Sequence, residues 1–568
     1  MPSRRRSIHL ALVAALVAAC VRAPTTAPAP SRPRPRLAVV LVVDQMRADY
    51  LTRYADLYDG GLARLRSEGA WFTQAHVQHA LTYTAPGHAS IATATHPARH
   101  GIVSNEWYDR EARAVVYAAD APGVRPVFRP VAPEVDAKAS LLPGRSPRRL
   151  LRAGLGDWLK AGRPAARVFS VALKDRSAVM MGGQRPDRAY WYSPELAGYL
   201  SSSWYQEGGP TPTWVAAFNA TGAAFAAFAR GWTRVRDASA YLRSGPDRVE
   251  TEADGVRTEF PHVFDDGTPA ARAGFAKAMM YTPFGDELTL TFARGLIAAE
   301  GLGADDVPDI LFVSCSSGDL VGHAYGPFSH EIEDYYLRLD DYVGELLTYL
   351  DEHVGKDSYV LALTADHGAL PLPEEAALRG HHSARRVTED AYRQQARALV
   401  EAALARRGLP TAALLHLGED GVWLDTAAAQ VVGVPPAELR AAVATALRGL
   451  DFVADAFTAD DLGGAGDQAR PFLTRYQRSF LAARSPDVLL RFKQWHLVDA
   501  LPQGTSHGSP YGYDTHVPVL FFGAGVRAGQ HERPVGTVDV APTLAELLGV
   551  AAPADLDGRS LAGLIADR

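Results

Sequence analysis

Leu37-Ala38-Val39-Val40-Leu41-Val42-Val43, followed at once by Asp44-Gln45-Met46-Arg47, is the stretch from which the fold is read. Seven apolar residues without a polar break do not suit a half-exposed strand. They suit one covered on both faces, as in a parallel sheet with helices above and below. The carboxylate that ends the run lies where open α/β sheets build their sites, at the carboxyl end of a central strand.

The pattern recurs. Asp309-Ile310-Leu311-Phe312-Val313 runs into Ser316-Ser317-Gly318-Asp319-Leu320-Val321-Gly322-His323, and Tyr359-Val360-Leu361-Ala362-Leu363 runs into Thr364-Ala365-Asp366-His367-Gly368. A further loop, Gly504-Thr505-Ser506-His507-Gly508, precedes the apolar stretch Val517 to Phe522. Helical patterns alternate with these runs. The clearest places Ile332, Tyr336, Leu339, Val343, Leu346 and Leu350 at steps of three and four. The expected fold is therefore α/β, with a doubly wound, mostly parallel central sheet and helices on both faces. Two segments, about 187–283 and about 371–501, break the alternation. They mix Gly/Pro-rich stretches with helices, Ala391 to Arg406 and Pro436 to Leu447 being the best, and are expected as inserted caps within one catalytic domain, 37–568.

The 568 residues are 47% hydrophobic, enough for a large core, and the net charge of −6 lacks the basic footprint of a nucleic-acid binder. Residues 1–20 form a targeting segment. Arg4-Arg5-Arg6 precede an apolar run, Leu10 to Ala19, that is too short to span a bilayer. Val17-Ala18-Ala19-Cys20 resembles the lipobox of bacterial lipoproteins, which implies cleavage before Cys20 and a lipid on its sulfur. Residues 21–36 read as a Pro-rich tether. The expectation is an exported protein in the periplasm or at the surface of a bacterium, anchored to a membrane through Cys20. The other cysteine, Cys315, ends an apolar strand and reads as a small core residue, so the core and not a disulfide holds the fold.

Thr82-Tyr83-Thr84-Ala85-Pro86-Gly87-His88-Ala89-Ser90 sets a hydroxyl, Thr84, ahead of a Pro-Gly turn and a run of helix-compatible residues. There the first free N–H groups and the positive helix end point at an anion, which suits a nucleophile that carries a phosphoryl group. Alone, Thr84 would read as a helix N-cap. The company it keeps changes that reading. Oxygen and nitrogen donors without thiolates suit a catalytic metal centre. Asp44, Asp319, His323, Asp366, His367 and His507 supply six ligands and Thr84 a seventh, enough for two ions that clamp both sides of an in-line displacement.

This set, with Thr84-x-Pro-Gly-His, Asp319-x-x-x-His323, Asp366-His367-Gly368 and Thr505-x-His507-Gly508, resembles the alkaline phosphatase superfamily. Val43-Asp44-Gln45-Met46-Arg47, Tyr83 to His88 and His507 to Pro518 resemble its PafA-type bacterial alkaline phosphatases, from about Leu37 to the C-terminus. The resemblance implies one zinc held by Asp319, His323 and His507, and a second held by Asp44, Asp366 and His367 beside Thr84. Manganese or cobalt are the expected substitutes. It further implies that Asn105 donates to a phosphoryl oxygen and that Lys174 and Arg176 are a cationic pair on it. After a strand from Arg167 to Leu173, alternate positions share a side, so Lys174 and Arg176 are expected to point together and Asp175 away.

Two cations beside the phosphoryl group favour a monoester dianion over a diester. The expected activity is hydrolysis of small-molecule phosphate monoesters through a phosphothreonine on Thr84; the sequence leaves the oligomeric state open, a monomer being slightly favoured. The alternative is a phosphodiesterase or nucleotide pyrophosphatase on the same two-metal scaffold. A sulfatase would need a Cys or Ser nucleophile, and a non-hydrolytic binder would be expected to lack a ligand or the nucleophile. His96 and His100 are expected to be structural and His88 to orient the nucleophile loop, while His381, His382 and His516 are left outside the site.

Overall fold

The computed structural model describes residues 34–566 apart from 129–137, 140, 209, 210, 254, 256 and 465. The targeting segment, most of the tether and Cys20 lie outside the described residues.

A ten-stranded sheet forms the centre. Its strands are β1 (Leu37–Val43), β2 (Ala70–Phe72), β3 (Pro126–Val127), β4 (Val168–Ala172), β5 (Arg188–Ser193), β6 (Gly198–Ser202), β7 (Asp309–Cys315), β8 (Tyr359–Thr364), β9 (Val519–Gly523) and β10 (Gly529–His531). They lie in the order β10-β2-β9-β8-β1-β7-β4-β5-β6-β3. Only β6 and β9 run against the rest.

Strand β1 lies between β7 and β8 with all seven residues buried. Leu37, Val39, Leu41 and Val43 enter the core on one face, and Ala38, Val40 and Val42 the core on the other. This is why the run has no polar residue: each alternate side chain meets a different apolar layer, and each fully buried Val or Leu stabilises the fold by about 1.5–3 kcal/mol. Four helices matter for the site: α1 (Thr84–Thr93), α2 (Asp175–Gly182), α3 (Ser317–Tyr325) and α4 (His330–Leu350). The periodic stripe read in the sequence is the buried face of α4, whose start is capped by the Ser329 hydroxyl accepting from Ile332 N–H.

Three expectations are corrected. Pro86-Gly87 is not a turn; it lies in the first helical turn of α1, where proline costs no hydrogen bond because the first N–H groups have no intrahelical partner. The segment 187–283 is not wholly inserted, since β5 and β6 within it extend the central sheet. Their sequence, Arg-Ala-Tyr-Trp-Tyr-Ser and Gly-Tyr-Leu-Ser-Ser, mixes polar and aromatic residues and so lacks the apolar run that marks β1. Third, Lys174 and Arg176 are not on a strand: β4 ends at Ala172, and Lys174 is the N-cap of α2.

The second segment folds as a lobe around its own antiparallel sheet, with strands ordered Leu414–Leu417, Gly421–Leu424, Val488–Phe492, Val453–Thr458. Helices Glu389–Ala405 and Pro436–Leu447 pack on it with an apolar core of their own. Among the described residues no helix is long and apolar enough to cross a membrane.

Candidate active site

The carboxyl ends of β1, β7, β8 and β4 deliver Asp44, the α3 pair Asp319 and His323, the Asp366-His367 pair and the Lys174-Asp175-Arg176 turn to one place. Thr84 begins α1 and is fully buried beside them. His507 arrives on the loop before β9, with its ring stacked 3.6 Å from that of His367. All seven residues expected as metal ligands, and the three expected on the phosphoryl group, gather here.

The three candidate imidazole ligands are fixed in the same way. His323 Nδ1 donates to Thr505 O at 2.7 Å, His507 Nδ1 to Thr82 O at 2.7 Å and His367 Nδ1 to Gly368 O at 3.0 Å. Each main-chain carbonyl sets the tautomer and leaves Nε2 as the basic atom that faces the carboxylates. His323 Nε2 and His507 Nε2 lie 3.2 and 3.5 Å from Asp319 Oδ1. His367 Nε2 lies 3.2 Å from Asp366 Oδ2 and 3.5 Å from Asp44 Oδ1.

Two donors about 2.1 Å from one tetrahedral ion are about 3.4 Å apart, so these spacings fit a zinc-sized ion in each group. Asp44 Oδ1, Asp366 Oδ2 and His367 Nε2 are moreover buried without a hydrogen-bond partner. Buried polar atoms are costly to leave unsatisfied, and these three face one another.

Proximity alone also sets His88 with Asp44 and Asp366, and His367 with Asp319 and His507. His88, however, has no nitrogen to spare. Its Nδ1 donates to Thr84 O at 2.9 Å while lying 3.2 Å from Asp366 Oδ2, and its Nε2 accepts from Ser314 Oγ at 2.9 Å. It therefore steadies the first turn of α1, as the sequence suggested. His367 remains the third donor for Asp44 and Asp366.

Electrostatics follow from burying three carboxylates together. Burial drives Asp44 well above the usual carboxylate range, with Asp366 and Asp319 adding to this and Lys174 opposing it. Burial also opposes charge on Asp319 and Asp366, yet His323 and Lys174 outweigh it at Asp319, and His367 and His88 at Asp366, so both are held down. Burial lowers His367 and, with His367 beside it, His507, keeping both rings in the neutral form that ligates. The Lys174 ammonium balances the group, 2.6 Å from Asp44 Oδ2 and 2.5 Å from Asp319 Oδ2.

Around Thr84 the polar groups are directed. Arg176 Nη2 lies 3.4 Å from Thr84 Oγ1. Asn105 Oδ1 accepts from Ala85 N–H at 2.9 Å, and among the described residues its amide nitrogen makes no hydrogen bond. Asp175 points away, taking Tyr117 Oη at 2.5 Å and pairing with Arg145. This anchors the turn that carries Lys174 and Arg176.

The sequence reading assigned no role to Gln45. Its backbone is left-handed, φ 67°, a strained state for a non-glycine residue. That state lets one residue serve both donor groups: its Nε2 donates to Asp319 Oδ1 at 2.9 Å and its main-chain N–H to Asp366 Oδ1 at 3.2 Å. A Cβ on Gly322 would lie 1.8 Å from Gln45 Oε1, so glycine there makes room for the amide. The link from Tyr83 Oη to Asp420 Oδ2, 2.5 Å, was likewise not foreseen. It ties the 371–501 lobe to the residue before Thr84, and no local pattern signals it because the partners lie 337 positions apart.

Comparison with known proteins agrees with this geometry. The family model described as Type I phosphodiesterase / nucleotide pyrophosphatase matches residues 38–135 and 165–448. Alkaline phosphatase PafA of Elizabethkingia meningoseptica is 31% identical over 538 residues, covering 94% of this chain and 95% of that protein. Alkaline phosphatase PhoV of Synechococcus elongatus is 33% identical over 540 residues, covering 94% and 93%. The crystal structure of wild-type alkaline phosphatase PafA matches with a TM-score of 0.84 at 31% identity, covering 94% of this chain and 99% of that one. The chain thus belongs to the type I phosphodiesterase / nucleotide pyrophosphatase family of the alkaline phosphatase superfamily, among its PafA-type alkaline phosphatases.

Proposed function

We propose that the protein hydrolyses phosphate monoesters by transfer of the phosphoryl group to Thr84 and then to water. The observation that carries this reading is Arg176 Nη2 at 3.4 Å from Thr84 Oγ1, with Asn105 held on the N–H of the next residue, Ala85, and Lys174 held between Asp44 and Asp319. Asp319, His323 and His507 would hold one divalent ion, and Asp44, Asp366 and His367 the other, with zinc the best match to these donors and manganese or cobalt as substitutes. Bound there, the ions supply Lewis-acid stabilisation of charge on the attacking and departing oxygens.

The chain's own groups do the rest. Thr84 Oγ attacks phosphorus, the ester P–O bond breaks opposite to it, and the hydroxyl proton is lost to solvent as the departing alkoxide gains one. Arg176 and the Asn105 amide hold two non-bridging oxygens, and Lys174, between the carboxylates, adds positive charge beside them. Water then attacks the phosphothreonine and frees phosphate and the Thr84 hydroxyl. The 371–501 lobe caps the nucleophile side through Asp420. Export and a lipid on Cys20 complete the proposal; loss of membrane fractionation in Cys20→Ala would support the anchor, and unchanged fractionation would sink it.

The test compares kcat/KM for p-nitrophenyl phosphate and bis-p-nitrophenyl phosphate in the zinc-loaded protein. A monoester preference of several orders of magnitude is expected. Lys174→Ala/Arg176→Ala is expected to cut the monoester rate about 10²–10³-fold and the diester rate less than about tenfold. A diester preference would turn the reading to a phosphodiesterase with the same nucleophile.

A further inference from the structure

A cavity of about 450 Å³ opens on the outer side of α3. Its walls come from the 187–283 segment (Trp232, Phe264, Tyr281), from α3 (His323, Tyr325) and from the approach to the His507 loop (Leu501). Of the polar side chains in the wall, His262 Nε2 pairs with Glu331 at 2.9 Å, Thr282 Oγ1 donates to Met279 O at 2.6 Å, Thr505 Oγ1 donates to Leu370 O at 2.9 Å and Asp499 Oδ1 accepts from Leu501 N–H at 2.9 Å, while Arg257 and Gln503 also line it. Two large apolar residues stand exposed at its rim, Tyr281 at 39% and Leu501 at 64%. A mainly apolar wall with an exposed apolar rim, within the size range of small-molecule sites, is suited to an organic group.

Its position relative to the chemistry gives that group an identity. On the mechanism proposed above, in-line attack by Thr84 puts the departing oxygen on the side of Asp319, His323 and His507. The first and last of these are 2% and 5% exposed, whereas His323 is 31% exposed. His323 is also the one candidate ligand that lines this cavity. A substituent on the departing oxygen therefore leaves the buried centre past His323 and meets the cavity wall.

We infer that this cavity is the subsite for the organic part of the ester, and that it selects phosphate monoesters with apolar alkyl or aryl groups. The inference rests on the monoesterase reading above and deepens it. Straight-chain alkyl phosphates from ethyl to hexyl test it, because their leaving groups have nearly the same intrinsic reactivity. Each buried methylene should raise kcat/KM about fourfold until the cavity is filled. Filling the cavity with Ala278→Trp, or placing a charge at the rim with Leu501→Asp, should flatten the series while leaving the rate on ethyl phosphate within about twofold.

Calorimetric titration with ethyl- and hexylphosphonate supplies a readout without turnover. Hexylphosphonate should bind more tightly in the unmodified protein and lose that advantage in either variant. Hydrolysis of ethyl and hexyl phosphate at equal rates would overturn the subsite alone. So would a chain-length dependence that survives in both variants. Absence of hydrolysis on every ester would overturn the monoesterase reading together with it.

Discussion

The two donor groups use the same residue types and are enclosed differently. Asp44, Asp366 and His367 follow the ends of the neighbouring strands β1 and β8 and are fully buried next to Thr84. Asp319, His323 and His507 sit on a helix and a long loop, and His323 reaches solvent. The same difference separates the two halves of a displacement. Where the new bond forms, a nucleophile gains from rigid, dry surroundings. Where the old bond breaks, a product must leave and water must enter. The protein is closed at one end of the reaction axis and open at the other.

The sharpest way to break this contrast is to remove one donor from each group. Asp366→Ala should lower kcat/KM for p-nitrophenyl phosphate about 10⁴-fold, because nothing can replace a carboxylate in a sealed site. His323→Ala should cost about 10²-fold, with part of the loss recovered at raised zinc, since water can reach the emptied position. Equal, unrecoverable losses would show the openness at His323 to be irrelevant to metal retention.

A second probe addresses the support of the open side. Asp286 is fully buried and accepts from Ser317 N–H at 3.0 Å and Tyr335 Oη at 2.7 Å, so it pins the start of α3. Burial raises its carboxyl to about 7 despite those bonds. In an unfolded chain it would ionise near about 3.9. The folded protein thus holds the extra proton between these values, and its stabilising contribution is complete below about pH 4 and lost as the pH rises through about 7. The span corresponds to roughly 4 kcal/mol. Urea unfolding at pH 5 and pH 8 should show roughly 3 kcal/mol of this fall, and Asp286→Asn should largely remove it.

Gln45 joins the two sides, which allows a finer cut. Gln45→Gly keeps the main-chain N–H on Asp366, relieves the left-handed strain and deletes the amide on Asp319. A loss of about 10–100-fold in affinity for one of the two ions only, read by zinc titration against a chelator, is expected. Equal weakening of both sites would show that the side chain, not the backbone, serves both. The smallest effect is expected at the link to the lobe. Tyr83→Phe removes the hydroxyl on Asp420 and should cost about 1–2 kcal/mol in stability, read as a lower urea midpoint, with activity reduced less than tenfold.

What the sequence could reveal divides along similar lines. The sealed group was legible because burial on both faces leaves a signature, an uninterrupted apolar run, and each run points at its ligand. The spacing of Asp319 and His323 brought those two residues together in the sequence without revealing the helix α3 that carries them. The outer strands β5 and β6 were not legible, since polar and aromatic residues at a sheet flank do not repeat in a way that single-sequence reading detects. Lys174 and Arg176 were read from strand alternation, whereas a helix start carries them. Gln45 and Asp420 escaped altogether, because a positive φ in a non-glycine residue and a contact across 337 positions are decided by tertiary structure.

The placement of β9 has a consequence for how the chain is made. This strand, Val519–Gly523, fills the gap between β2 and β8, two strands synthesised long before it. Roughly 150 residues separate β8 from β9, so at 5–20 residues per second both edges stand open together for about 8–30 s. During that interval the nascent protein exposes two apolar strands with unpaired backbone groups, a template for association with other chains. The 371–501 lobe is made within the same interval. The yield of native enzyme is thus set by a race between the arrival of β9 and encounters with neighbouring chains, and slower translation of the last third of the message should lower it.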